Sequence, residues 1–318
     1  MLNTLNFVRG AVAVKDLVPI LQNFHIYEGR IQGANGRMSI DAPCPDLAGF
    51  DFTVTSSSFL KAIDACAGEP IIKVNGDFLG ISSGSFKARL PLGSHEDFPR
   101  QAPEGEMGVP MGGPLLPILK QLSPFIGEDA SRGWACGILF RDGQAFATNN
   151  VVVAGVPAIK FDQSINLPSF LVDELLRIGM EPVSVLANHD RITFNFSNGA
   201  WMKSCLLSSE WPAVERMMPE SVRGEVPVDL RSAVERVLPF CPDPKLPLIY
   251  LGEDGVKTSD GDKSAIVGGF TLPPAIFRAE PLMAVLKVAK QIDFSVYPKP
   301  VPWVGERGLR GLLVGVVK

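Results

Sequence analysis

No stretch of the sequence approaches the roughly 18 uncharged apolar residues that a membrane-spanning helix needs. The opening MLNTLNFVRG also lacks the n-region and h-region of a secretory signal, so the expectation is a cytoplasmic protein. Cysteine is sparse: Cys44, Cys66, Cys136, Cys205 and Cys241 stand far apart with no Cys-x-x-Cys pair. Reduced, buried thiols fit that pattern better than disulfides or a zinc site. The three histidines, His25, His95 and His189, share no spacing suited to a metal or a catalytic triad. Glycine-containing turns at Gly33 to Gly36 and Gly80 to Gly84 are followed by strands, whereas a phosphate loop requires a helix N-terminus. Positive charge is not in excess either. With 30 basic and 34 acidic side chains the net charge is −4, which argues against a constitutively basic nucleic-acid binder.

What the sequence does contain is repetition. From Pro168 to Pro212 an amphipathic helix pattern, with Phe170, Leu171, Leu175 and Ile178 on one side, stops at Gly179. Three alternating segments follow, Val183 to Leu186, Ile192 to Phe196 and Ala200 to Leu206, separated by Asn188-His189-Asp190 and Ser197-Asn198-Gly199. The same unit occurs earlier: Ser58-Phe59-Leu60 recurs as Ser169-Phe170-Leu171, Glu69-Pro70 as Glu181-Pro182, and Phe98-Pro99 as Trp211-Pro212, at offsets of 111, 112 and 113. A fainter third copy places Leu282 and Phe294-Ser295-Val296 a further 111 residues on.

A chain of 318 residues, 46% hydrophobic and 20% charged, divides comfortably into three domains of about 100 residues. The divisions fall at residues 1–102, 103–222 and 223–318, with linkers at Gln101 to Pro114 and near Glu220 to Glu225. Each module also opens with its own helix and hairpin, whose turn glycines are Gly29, Gly143 and Gly255. The opening helices are expected over Leu2 to Val14, interrupted by Gly10, from Pro114 onward, and after Asp229 as N-cap. A further helix is expected over Pro281 to Ile292, where Leu282, Val285, Leu286 and Ala289 form the apolar stripe. Gly311 to Val317 reads as an apolar closing strand. The fold class is α+β: three repeated domains, each two helices packed on antiparallel sheets.

In order along the chain stand EPIIKV, GDFLGISSG, SFKARLP and EDFP, then FATNNVVVAGVP, INLPSFLVDELL and SSEWPAVERMMP. In this order and spacing the chain resembles the bacterial sliding clamp, the beta subunit of DNA polymerase III, over nearly its whole length. The resemblance implies a ring of two head-to-tail subunits, with helices inside and sheets outside, encircling duplex DNA without reading its sequence. It implies as partners a DNA polymerase, a clamp loader and a second copy of the chain, with no membrane, no cofactor and no catalytic residues. A clamp that slides needs only a modest set of inward cations, which accommodates the acidic total.

By position on the helices, the DNA-facing candidates are Lys61, Lys120, Arg177, Arg231, Arg236, Lys287 and Lys290, the last two paired at i, i+3. The resemblance places a hydrophobic peptide-binding pocket at Thr148, Val153, Pro212, Met217, Val314 and Val316, and a subunit interface at Phe86, Leu90, Leu238 and Phe240. The chain departs from the family at Asn150, Val151, Val152 and Val153, and in its ending Gly315-Val316-Val317-Lys318, which suit a different peptide. Its short N-terminal helix and length fit a divergent member, such as one carried by a virus of bacteria.

Each position also has a plain structural reading. A cation on an amphipathic helix is commonly a solvated face, and the valines, Met217 and the four interface residues can equally be ordinary packing within one domain. A clamp-like scaffold that binds peptides without encircling DNA is the alternative function. Ser58-Phe59-Leu60-Lys61 and Lys257-Thr258-Ser259 mimic the S-x-x-K and K-T-G of serine acyl-transfer enzymes, a remote third reading.

Overall fold

The computed structural model describes residues 1–104, 108–208, 210–259, 261 and 264–317. Its element order repeats three times. The first repeat is α1 (Leu2–Val8), β1 (Asn23–Tyr27), β2 (Arg30–Ala34), β3 (Met38–Pro43), β4 (Phe52–Thr55), α2 (Ser56–Asp64), β5 (Ile71–Asn75), β6 (Phe78–Ser83) and β7 (Phe86–Gly93). After a short strand, β8 (Val109–Pro110), the second is α3 (Leu116–Leu122), β9 (Gly137–Arg141), β10 (Gln144–Thr148), β11 (Val152–Pro157), β12 (Ile165–Pro168), α4 (Ser169–Ile178), β13 (Ser184–Ala187), β14 (Arg191–Asn195) and β15 (Trp201–Cys205). The third is α5 (Leu230–Val237), β16 (Leu248–Gly252), β17 (Gly255–Lys257), β18 (Ile266–Val267), β19 (Ala275–Arg278), α6 (Ala279–Leu286), β20 (Ala289–Ile292), β21 (Val301–Gly305) and β22 (Arg310–Leu313).

Local chemistry sets many of these boundaries. Glu28-Gly29 and Asp142-Gly143 take positive φ at both positions (46° and 71°, 50° and 75°), the tight hairpin turn that matches strand twist. Gly179 ends α4 at φ 67°, donating to the Leu175 carbonyl. Asp229 does precede α5, although its side chain makes no capping bond. Two helices differ from expectation at their ends. α1 stops at Val8 and continues as a 3-10 turn through Ala11, and α3 begins at Leu116 rather than Pro114. The largest change is at a third. α6 ends at Leu286, and Ala289–Ile292 is a strand paired with β21. Leu282, Val285, Leu286 and Ala289 satisfy a helical stripe, but Ala289 and Ile292 bury equally well against Gly305 and Trp303, and sheet pairing decides.

The chain forms two compact contact units, which group it differently from its repeats. The first comprises Met1–Gly112 and Glu174–Leu206 and holds an 11-stranded sheet in the order β5-β6-β7-β4-β1-β2-β3-β15-β14-β13-β8. α1 packs on α2 and on β2 and β3, with Leu5 and Val8 fully buried. Arg177 on α4 donates to the carbonyls of Asn6 and Phe7, each at 2.9 Å, while its Nε and Nη2 also hold the Glu174 carboxylate. A cation is therefore spent on the negative C-terminal end of α1. Any side chain at position 10 would overlap the Glu174 carboxylate, which accounts for Gly10.

A polar network lies beneath the residues that follow β7. Asp41 is fully buried and accepts from Arg30, Tyr27 and Gln32, and Gln32 also exchanges bonds with the backbone of Gln101. Burial, reinforced by the Asp41 bond, pushes the Tyr27 phenol up to about 12. His25 stacks on Tyr27, packs at a tilt against Phe98 and meets Asp51 at 3.1 Å through Nε2, while its buried Nδ1 has no hydrogen-bond partner among the described residues. Burial holds its pKa below the ordinary value, against the opposing pull of Asp51. As pH falls from 7 towards 5.5 the unfolded chain takes up this proton before the folded one, so stability declines over that window. Urea midpoints for a His25→Gln variant are expected to change less between those two pH values than wild type.

The second unit comprises Gly113–Asp173 and Leu207–Lys318, and holds a seven-stranded sheet, β12-β9-β10-β11-β22-β21-β20, and a four-stranded one, β18-β17-β16-β19. Trp303 on β21 is fully buried against Phe125, and α5 and α6 pack on each other.

One joint recurs. The last strand of the second repeat, β15, pairs with β3, the third strand of the first repeat, from Trp201↔Asp41 to Ser204↔Met38. The last strand of the third repeat, β22, pairs with β11, the third strand of the second, from Val152↔Leu313 to Gly155↔Arg310. The corresponding pair left over is β7 and β18. β18 is a sheet edge, and β4 covers the far side of β7 only at Leu92 and Gly93.

Candidate functional site

The β10–β11 turn frames an apolar surface in the second unit. Asn149 Oδ1 accepts from the backbone of Val151 and Val152 at 3.1 and 2.8 Å, and Asn150 takes φ 69°. The Thr148 hydroxyl donates to Val152 O and accepts from Asn150 N, so it serves the turn. Val153 pairs with Thr148 on one side and Leu312 on the other, and Val314 N donates to Val151 O at 2.8 Å. Thr148 on β10 and Val153 on β11 thus meet Val314, the residue just past β22.

Beneath Val153 lies a buried cluster of Leu139, Phe146, Trp211, Val214 and Met218, flanked by half-buried Trp134. Trp134 and Trp211 meet edge to face at 5.0 Å, and the Trp211 indole donates to Trp134 O at 2.9 Å. Gly155 lets this packing close, because a Cβ there would stand 2.9 Å from the Phe146 ring and 3.3 Å from the Met218 sulfur. Pro212 and Met217 form an exposed rim, Met217 at 53%. Arg141 ties the rim down, bonding Glu215 and the Pro212 carbonyl. Val316 sits apart, beside β19, donating its N–H to Ile276 O, while the Tyr297 hydroxyl donates to its carbonyl. Sequence reasoning missed the floor residues Leu139, Phe146, Trp211 and Met218. The hairpin around Gly143 signalled only that the first two lie on strands, and nothing distinguished Met217 from Met218.

The chain's likeness to known structures follows these features. A DNA polymerase III beta subunit from Thermotoga maritima superposes at TM-score 0.82 with 17% identity, covering 100% of this chain and 97% of that one. The C. crescentus beta sliding clamp gives 0.81 and 18% over the same shares. A Helicobacter pylori beta clamp bound to a DNA ligase peptide gives 0.78 and 14%, covering 99% and 97%. The fold is the sliding-clamp fold. No protein-family model and no curated protein sequence matches the chain.

On this clamp fold the candidate cations divide. Lys61 on α2, Lys120 on α3 and Arg236 on α5 are exposed, as is Lys287 just past α6. Arg231 is paired with Glu235 at 2.9 Å, and Arg177 is committed to α1 and Glu174. Lys290 lies on strand β20, not on a helix, and bonds Glu306 at 3.0 Å, which lowers the Glu306 pKa. The expected i, i+3 pair of Lys287 and Lys290 is therefore not formed on one helix face. Of the interface candidates, Phe86 and Leu90 lie half-buried on β7, Leu238 is half-buried after α5, and Phe240 is 66% exposed. The enzyme-like patterns have structural uses: Lys257 holds Asp254 at 2.6 Å and the Thr258 hydroxyl accepts from Ala265 N. Among the described residues no helix is long and apolar enough to cross a membrane.

Proposed function

We propose that the chain is a DNA sliding clamp: two copies close head to tail into a ring around duplex DNA and tether a polymerase by a short apolar peptide. The observation that carries this reading is the recurring joint. β15 on β3 and β22 on β11 join successive repeats, and the same rule assigns β7 of one copy to β18 of the next. A head-to-tail contact that repeats either closes or grows into a filament, and two copies of three repeats give a six-repeat closed ring. Phe86 and Leu90 on β7 would then approach the partner's face that carries Leu238 and Phe240.

The three-domain division at 1–102, 103–222 and 223–318 belongs to the same reading. So do the remaining sites. Exposed Lys61, Lys120, Arg236 and Lys287, with Arg231, would make weak, salt-sensitive phosphate contacts suited to sliding. Arg177 and Lys290, engaged within the chain, would contribute less. Thr148, Val153, Pro212, Met217 and Val314 would frame the apolar floor, with Val316 beside β19 extending the surface, and this pocket would receive leucine- or phenylalanine-bearing peptides from the polymerase and the clamp loader.

Retention on DNA tests the ring. After loading onto nicked circular plasmid, the protein is expected to co-elute with DNA in gel filtration and to be released when a restriction enzyme linearises it. Equal retention on circular and linear DNA, or on neither, would favour the peptide-binding scaffold that does not encircle DNA.

A further inference from the structure

The joint between β3 and β15 repeats the architecture of the apolar site with the opposite chemistry. The turn Ala34 to Ser39 matches Thr148 to Val153 residue for residue. Asn35 Oδ1 accepts from the backbone of Arg37 and Met38 at 3.1 and 2.9 Å, as Asn149 does from Val151 and Val152, and Gly36 takes φ 81° where Asn150 takes 69°. Phe98-Pro99 stands where Trp211-Pro212 stands in the second unit. The residues beneath are exchanged in kind: His25 and Gln32 occupy the strand positions of Leu139 and Phe146, and buried Asp41 that of Gly155.

The surface above is basic. A cleft of about 100 Å³, wholly within the first unit, is lined by Arg37, Arg191 and Lys203 with Ser39, Pro99 and Gln101. The register puts the three cations on one face of the sheet. Cys205 pairs with Arg191 and donates its N–H to Arg37 O, and Lys203, two residues from Cys205, faces the same side. Arg37 and Arg191 are exposed, whereas the Lys203 side chain is 13% exposed and aligned by Ala102 O and Glu104, each at 3.0 Å. Lys203, one of the lining cations, thus already holds a carboxylate supplied by the chain itself.

We propose that this cleft is a second docking site, for an acidic peptide segment whose carboxylates meet Arg191 and compete for Arg37 and Lys203, both of which are already engaged within the chain. A peptide fits better than nucleic acid, because the volume suits single side chains and the group that Lys203 already holds is a carboxylate. The choice of a peptide rests on the clamp reading, in which the equivalent joint receives peptides; the cleft and its charge do not.

The test is fluorescence anisotropy of the full chain with a labelled decapeptide carrying four glutamates, at low salt. Arg37→Glu with Arg191→Glu is expected to weaken binding at least tenfold. Glu104→Gln is expected to strengthen it about threefold, and Val153→Asp to leave it unchanged. Unchanged affinity in the double reversal, or a loss in Val153→Asp equal to the loss there, overturns the proposal. Displacement of the peptide by an equimolar 20-base-pair duplex would also overturn it, in favour of a nucleic-acid site. If apolar peptides bind nowhere while the acidic peptide still responds to Arg191→Glu, the apolar-pocket reading falls and this cleft stands.

Discussion

Lys87→Pro combined with Arg89→Pro is expected to raise the dissociation constant of the proposed dimer about 100-fold while each copy stays folded. β6 and β7 join through the two-residue turn Gly84-Ser85, with Ser83 opposite Phe86. Counting from that turn, Phe86, Ala88 and Leu90 bond β6, and Lys87, Arg89 and Pro91 direct their backbone groups to the other side. Pro91, which has no N–H, already occupies that phase. Two further prolines remove two outward donors, at about 1 kcal/mol each, and their rings hinder the approach of another strand. The sum is about 3 kcal/mol, hence the two decades. Loss of Arg89 also removes a cation placed 3.7 Å over the Phe78 ring, about 0.5–1 kcal/mol of the monomer's own stability. Sedimentation equilibrium measures the change. Val74→Pro on β5, the opposite sheet edge, is the control and should leave association intact. A dissociation constant within threefold of wild type in the double variant would remove β7 from the subunit contact.

Val153→Asp should weaken binding of a short labelled peptide with leucine and phenylalanine anchors by about 100-fold. Val153 is half-buried over Phe146, Trp211 and Met218, so an aspartate there must either ionise against apolar side chains or take up a proton, costing a few kcal/mol. Met217→Asp alters only the exposed rim, where water still solvates the carboxylate, and about tenfold is expected. The ratio is informative in itself. A graded loss from floor to rim identifies the cluster as the binding surface, whereas wild-type affinity in both variants would rule the pocket out. Thermal melts of the two variants separate lost binding from lost folding, and Met217→Asp should melt close to wild type.

Much of the architecture was legible because its causes are local. The turns Glu28-Gly29 and Asp142-Gly143, the stop at Gly179 and the alternating segments from Val183 to Leu206 each follow from a few neighbouring residues. The offsets of 111 to 113 residues announced a repeated unit, and the element order indeed recurs three times. The end of α6 was not legible. The stripe Leu282, Val285, Leu286, Ala289 satisfies a helix throughout, and only the partner strand carrying Gly305 and Trp303 turns its last residues into β20. Lys290 moved with it, from a helix face to an ion pair with Glu306.

The candidate site shows the same division. Thr148, Val153 and Val314, named from the resemblance alone, lie together in the structure, but which methionine packs beneath Val153 was not legible, because Met217 and Met218 differ only in the direction set by a 3-10 turn. Arg177 likewise looked like any cation on an amphipathic helix until the carbonyls of Asn6 and Phe7 were placed before it.

By itself, then, the sequence determined the repeat, its turns and the alternation of its strands, since these depend on backbone preference and side-chain period over a few residues. Tertiary structure alone decided which strands join successive repeats, and which cations and methionines remain available to a partner. It alone made one joint apolar at Phe146 and Trp211 and the other basic at Arg37, Arg191 and Lys203. Those outcomes depend on pairings between residues tens to more than a hundred positions apart, where burial and desolvation, not local propensity, set the energy.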